Sequence, residues 1–159
     1  MEDTHVYYLK RAVALSRYGM ENNYGGPFGC IIVKDGIVVG EGFNRVTSSN
    51  DPTAHAEIVA IRDACSTLGT FQLEGCILYT SCEPCPMCMG AIYWARPLQV
   101  IYANTRVDAA AIGFDDKLIY DEIKVEELSN RRIPFIHVNI PEAKEVFAGW
   151  ANKNKKIDY

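Results

Sequence analysis

No stretch of this sequence approaches the roughly 20 consecutive apolar residues that a bilayer-spanning helix needs, which excludes a membrane helix. The chain opens MEDTHVYYLK, acidic and without the basic stretch that begins a secretion leader, so the expected location is the cytoplasm. No cluster of Lys and Arg stands inside the chain and the net charge is −4, which disfavours a nucleic-acid partner. The one basic run, Lys153, Lys155 and Lys156, reads as a solvated helix end. Neither a low-complexity linker nor an internal repeat divides the 159 residues, so one domain over 1–159 is expected. Apolar residues are not scarce: 48% hydrophobic against 23% charged excludes a disordered chain. Six cysteines are present, and without a secretion leader they are expected as reduced thiols.

Periodicity gives the order of elements. Leu9, Val13 and Met20, with Ala12 and Tyr18, predict a helix over 4–22. Cys30–Val33 and Ile37–Val39 flank Lys34-Asp35-Gly36, a hairpin signal in which Asp-Gly supplies the left-handed turn. A polar loop over 45–52 precedes a second helix, from about Thr53 to Leu68, that Gly69 stops. A strand over Cys76–Thr80, a helix over Glu83–Ala95 and a strand over Leu98–Ala103 follow. Then come a short helix near Val107–Ile112, a GFDD turn, a strand over Ile133–Val138 and a C-terminal helix over 141–155. This order predicts an α/β fold, a three-layer α/β/α sandwich around a five-stranded mixed sheet whose last two strands run parallel.

The chemistry gathers at two predicted helix starts. DPTAHAE carries His55 and Glu57, and SCEPCPMC carries Cys82, Cys85 and Cys88. Helix N-termini favour thiolate over thiol, and imidazole plus sulfur from two segments points to Zn2+. Along one continuous helix Cys82 and Cys88 would lie about 9 Å apart. Thiolates sharing one zinc must lie within about 4 Å of each other, so either Cys82 with Cys85 or Cys85 with Cys88 binds. The helix dipole and the freedom of the loop favour the earlier pair, which gives His55, Cys82 and Cys85 as metal ligands and Cys88 as a small buried residue. Three protein ligands leave an open position, the arrangement of catalytic zinc. Glu57, near that position, is the candidate catalytic proton carrier.

The HAE and PCPMC segments match the H-x-E…P-C-x-x-C signature of zinc-dependent nucleobase deaminases. With GGPFG, the Asn44 loop, TSCEPCPMCMGAIYWARP and AIGFDD, nearly the whole chain resembles the small bacterial guanine deaminases of the cytidine-deaminase fold. The resemblance implies a homodimer that converts guanine, a small-molecule purine, to xanthine and ammonia with one Zn2+ per subunit. It also implies that Asn44 hydrogen-bonds the purine, that Phe28 and Trp94 line the base pocket, and that Asp116 meets the substrate near its amino group. Tyr159 ends a tail which, with the helix before it (about 141–159), closes an active site in similar proteins, sometimes that of a partner subunit. The tail NKNKKIDY differs from the family's in charge and length.

The metal signature does not select the substrate, since deaminases of guanosine, cytosine and tRNA adenosine share it. The acidic balance and the YWARP-to-GFDD region favour the guanine branch over tRNA. A zinc-stabilised binding module using His55, Cys82, Cys85 and Cys88 together is the reading from another class. The separation of Cys82 from Cys88 counts against it, as does Glu57, which a structural site does not require.

Overall fold

The Asp35-Gly36 turn closes a hairpin as the sequence predicts, with both residues at positive φ (50° and 77°), the conformation that a tight two-residue turn requires. It joins β1 (Gly29–Lys34) to β2 (Ile37–Phe43) in antiparallel register. The computed structural model describes residues 4–159, which fall into two units, 4–116 and 117–159.

In the first unit α1 (Thr4–Glu21) precedes the hairpin, and α2 (Val46–Ser49) and α3 (Ala56–Leu68) follow it. Then come β3 (Cys76–Cys82), α4 (Pro86–Ala95), β4 (Gln99–Asn104) and α5 (Arg106–Ala111). The sheet order is β2-β1-β3-β4, with β3 antiparallel to β1 and parallel to β4. Strand alternation decides what each face carries. Ile31, Val33 and Tyr79 turn to one face and pack with Tyr8 and Leu9 of α1. Cys30, Ile32, Cys76 and Leu78 turn to the other, against Ala56, Ala60 and Ala64 of α3 and Ile92 and Ala95 of α4. Burying a side chain the size of Ile31, Ile32 or Leu78 completely contributes about 1.5–3 kcal/mol.

Small residues bring α3 unusually close to the sheet. A Cβ on Gly42 would lie 2.4 Å from the Ala56 carbonyl oxygen, and one on Gly40 2.6 Å from that of Ala60. No side chain larger than hydrogen fits at either place, so the Gly-x-Gly of β2 and the alanine stripe of α3 set where the helix starts. That start lies near the carboxyl ends of the parallel pair β3 and β4, a common ligand position in α/β sheets.

The second unit holds α6 (Lys117–Ile123), a 3₁₀ turn (Leu128–Asn130) and α7 (Pro141–Ala151). Glu127 caps the 3₁₀ turn through the Ser129 amide, and the Arg132 amide donates to Glu122 Oε2 at 2.7 Å. The fifth strand expected over Ile133–Val138 is corrected here: among the described residues the sheet has four strands. Pro134 has no N–H for a ladder, and the Phe135 amide donates to the Leu128 carbonyl at 3.0 Å instead. The parallel pairing expected between Leu98–Ala103 and Ile133–Val138 falls with that strand; the parallel pair of the sheet is β3 with β4. None of the described helices is long and apolar enough to cross a membrane.

Candidate metal centre

Both helix starts in the site spend their N-cap position on a reactive side chain. His55 is the N-cap of α3, in extended conformation and without a side-chain capping bond. Cys85 is the N-cap of α4 in the same state, with Pro86 in the first turn, where its missing N–H costs nothing. Cys88 follows at the third helical position, so the two thiols share one side of the first turn.

His55 Nδ1 lies 3.6 Å from Cys85 Sγ and 3.5 Å from Cys88 Sγ. Among the described residues these three form the one cluster of this kind, with all ligand atoms within 4.8 Å of one another. Tetrahedral zinc with bonds of about 2.3 Å to sulfur and about 2.0 Å to nitrogen sets a sulfur–nitrogen edge of roughly 3.5 Å. The donor set and its spacing therefore fit zinc with one position left open.

Cys82 is not in this cluster, which corrects its expected pairing with Cys85. The sequence reading starts the helix at Glu83, whereas α4 starts at Pro86 and Cys82 is still the last residue of β3. Its thiol donates toward the Thr105 carbonyl at 3.6 Å, and burial pushes its pKa up to about 11. The helix dipole favours thiolate at Cys85 and Cys88, not at Cys82, because those two occupy the helix start. A proline at the first helical position, Pro86, is the signal that marks Cys88.

The electrostatics of the cluster are those of thiols held close together. Hydrogen bonding from Cys88 first, and then from His55, draws Cys85 down to about 4. The same contact with Cys85, followed by burial, holds the proton on Cys88. The His55 pKa is raised, chiefly by its bond to Cys85. Ligating thiols bind metal as thiolates, so metal uptake at this cluster would release the Cys88 proton.

Glu57 lies in the first turn of α3 and is only 6% exposed. Its Oε1 accepts from Thr80 Oγ1 at 3.1 Å and its Oε2 lies 3.5 Å from Cys88 Sγ. Burial raises its pKa above the ordinary carboxylate value. The structure thus brings Glu57 to the cluster.

The remaining expected residues separate. Asn44 is buried, and its Oδ1 accepts from the Gly26 and Val46 amides at 3.2 and 3.1 Å, which leaves the carboxamide its Nδ2 donors for a ligand. Phe28 meets the ring of Phe114 edge to face, centroids 4.9 Å apart, which ties the GGPFG loop to the GFDD turn. Asp116 has its pKa raised by burial first and also by the charge of Cys85, which puts it within electrostatic reach of the cluster. Trp94 is 63% exposed and stands six residues, about 9 Å of helix, beyond Cys88, so within this chain it is not brought to the cluster. Tyr159 is exposed at the end of the second unit.

The sequence reading missed Thr80 and Phe114. Thr80 was legible in principle, because strand alternation puts it two residues beyond Leu78 on the α3 side. Nothing local marks Phe114.

Comparison with known proteins agrees with this geometry. The family model for the cytidine and deoxycytidylate deaminase zinc-binding region matches residues 2–104. The chain belongs to this deaminase family. Guanine deaminase of Bacillus subtilis (strain 168) is 56% identical over 98% of this chain and 99% of its own. A crystal structure of guanine deaminase from Bacillus subtilis superposes with a TM-score of 0.95 at 55% identity, covering 100% of this chain and 99% of that one. The tRNA-specific adenosine deaminase of Aquifex aeolicus is 34% identical over 92% of this chain and 93% of its own. As a member of the cytidine and deoxycytidylate deaminase family, the protein is a zinc-dependent hydrolytic deaminase.

Proposed function

We propose that this deaminase hydrolyses guanine to xanthine and ammonia. The reading rests on one observation above the others: a buried carboxylate, Glu57, turns one oxygen to the His55, Cys85 and Cys88 cluster. The choice of base is supported by the likeness to Bacillus subtilis guanine deaminase along almost the entire chain.

His55, Cys85 and Cys88 would hold the zinc, which when bound would supply the Lewis acidity that lets a water ionise near neutral pH. Glu57 takes one proton of that water and passes it to the ring nitrogen beside C2, where it stays, and then carries the second, hydroxyl proton to the departing amine as C2=O forms. One water enters, the C2–O bond forms, the C2–N bond breaks and ammonia leaves. The Asn44 Nδ2 donors suit an acceptor on the purine edge, Phe28 walls the ring, and the Asp116 carboxylate takes the amino side.

The protein works as a homodimer. Support comes from large apolar side chains of the second unit that are exposed in the single chain, among them Phe147 at 80% and Val146. In that dimer residues 141–159, Tyr159 included, close over the site of a partner subunit, and Trp94 acquires a cover that one chain does not give it. Light scattering that gave the mass of one chain would overturn the dimer. Six free cysteines suit the reducing cytoplasm.

A panel of guanine, guanosine, adenine, cytosine and tRNA tests the substrate. The expected result is ammonia release from guanine alone. Inosine formed in tRNA, with guanine untouched, would replace this reading by the tRNA adenosine one.

A further inference from the structure

The two oxygens of Glu57 stand in unequal surroundings. Oε1 accepts from Thr80 Oγ1 at 3.1 Å, while Oε2 lies 3.5 Å from Cys88 Sγ. We propose that Thr80 is a positioning residue: its hydroxyl fixes Oε1 and so reserves Oε2 for the proton that moves during deamination. The inference rests on the role given to Glu57 above, and it assigns the two carboxylate oxygens different duties.

Thr80 is built into the interior of the sheet. It lies in β3, 1% exposed, paired across the ladder with Cys30 on one side and Tyr102 on the other. Its side chain projects on the face that carries Cys76 and Leu78, the face against α3. The hydroxyl has one proton and two acceptors in reach, Glu57 Oε1 at 3.1 Å and the Gly29 carbonyl at 3.5 Å. The carboxylate is both nearer and charged, so the proton belongs to that bond.

The donor at Oε2 is of another kind. A cysteine bound to metal has no proton to donate, so the Cys88 contact ceases to be a hydrogen bond when the centre is filled. Thr80 is then the side chain that still donates to Glu57. A carboxylate held at one oxygen keeps its plane, and the other oxygen stays turned to the cluster. Without that hold only the amide of Glu57 itself still donates to the carboxylate, which is then freer to turn about its last torsion, one that is broad and without sharp minima. Misplacement of a proton carrier on this scale lowers the chemical rate and leaves ground-state binding alone.

Thr80→Val keeps the β-branched shape that the strand prefers and removes only the hydroxyl; Thr80→Ser restores it. The expected result is a fall in kcat of about 10- to 100-fold for Thr80→Val, the scale of one lost hydrogen bond to a charged group, with KM and bound zinc unchanged. Thr80→Ser recovers most of that rate. Crystal structures of the two variants provide a readout independent of turnover: the Glu57 carboxylate rotates in Thr80→Val and keeps its orientation in Thr80→Ser. A wild-type kcat in Thr80→Val overturns the proposal. So do equal losses in both variants that follow a fall in unfolding midpoint, since those report packing alone. If wild-type protein leaves guanine untouched, the substrate reading fails, and the carboxylate orientation in the two crystals decides the Thr80 proposal by itself.

Discussion

Three helices in the first unit begin close to the carboxyl ends of the parallel strands, and they begin in two different ways. α5 starts with a complete capping box: Thr105 Oγ1 accepts from the Asp108 amide, and Asp108 Oδ2 accepts in return from the Thr105 amide at 2.8 Å. α3 and α4 start with His55 and Cys85, neither of which makes a side-chain capping bond. A good cap contributes about 1 kcal/mol, so each bare start forgoes that stability. What the bare starts gain is a set of orphan amides and a dipole end pointing at one place, where thiolate and carboxylate are favoured. The close packing of Gly40 and Gly42 against Ala56 and Ala60 holds α3 where a cap otherwise would. Local stability and chemistry are thus divided among neighbouring helix ends.

The sharpest break in that comparison is at sulfur. Cys88→Ser, at the bare start of α4, is expected to lose bound zinc and all deamination. Cys82→Ser, whose thiol points at the capped helix instead, is expected to keep zinc and most activity. Metal analysis of the two purified variants decides between them. X-ray absorption of the wild-type protein should give two sulfurs and one nitrogen from the chain. Zinc lost from Cys82→Ser and kept in Cys88→Ser would reinstate the ligand set read from the sequence.

Why the sequence pointed to Cys82 is instructive. The hairpin, the order of the main helices and strands from α1 to β4, and the placing of His55 and Cys85 at helix starts were legible, because each depends on local spacing. The choice between Cys82 and Cys88 depended on a helix boundary three residues later than expected, and boundaries are set by tertiary packing as much as by propensity. The predicted strand over Ile133–Val138 failed for a related reason: an apolar run becomes a strand only where a partner edge meets it. Alternation along β3 gives the face of Thr80 but not its partner Glu57, 23 positions away, and no local pattern at all carries the meeting of Phe114 with Phe28, 86 positions away.

Second in size is the change that leaves the metal and removes the proton carrier. Glu57→Gln keeps the shape of the side chain and is expected to retain zinc while kcat falls about 10²- to 10⁴-fold, the range of general acid–base catalysis. It separates the two parts of the bare start of α3, since His55 holds metal and Glu57 does not. Full activity with zinc in place would remove Glu57 from the mechanism. Burial raises the Glu57 pKa above the ordinary carboxylate value, so on acidification its carboxylate is lost at a higher pH than that of an exposed glutamate.

The smallest effect belongs to the capped helix and completes the comparison. Thr105→Ala removes the hydroxyl from the capping box and is expected to cost about 0.5–1 kcal/mol, the lower part of the range for N-cap replacements because this cap is exposed. Zinc content and kcat should not change, since Thr105 donates nothing to the cluster. The loss should itself depend on pH, with a sign that follows from Asp108. The Thr105 amide first, and its hydroxyl second, hold the Asp108 carboxyl below its ordinary pKa of 3.8. A carboxyl with a depressed folded pKa stabilises the fold above its unfolded pKa and loses that contribution as pH falls through the folded one. The gap in unfolding midpoint between wild type and Thr105→Ala should therefore be full at neutral pH and narrow in acid. Since the amide contact survives the substitution, some acid sensitivity remains in the variant. A gap that widened in acid would mean that Thr105 stabilises α5 through something other than this box.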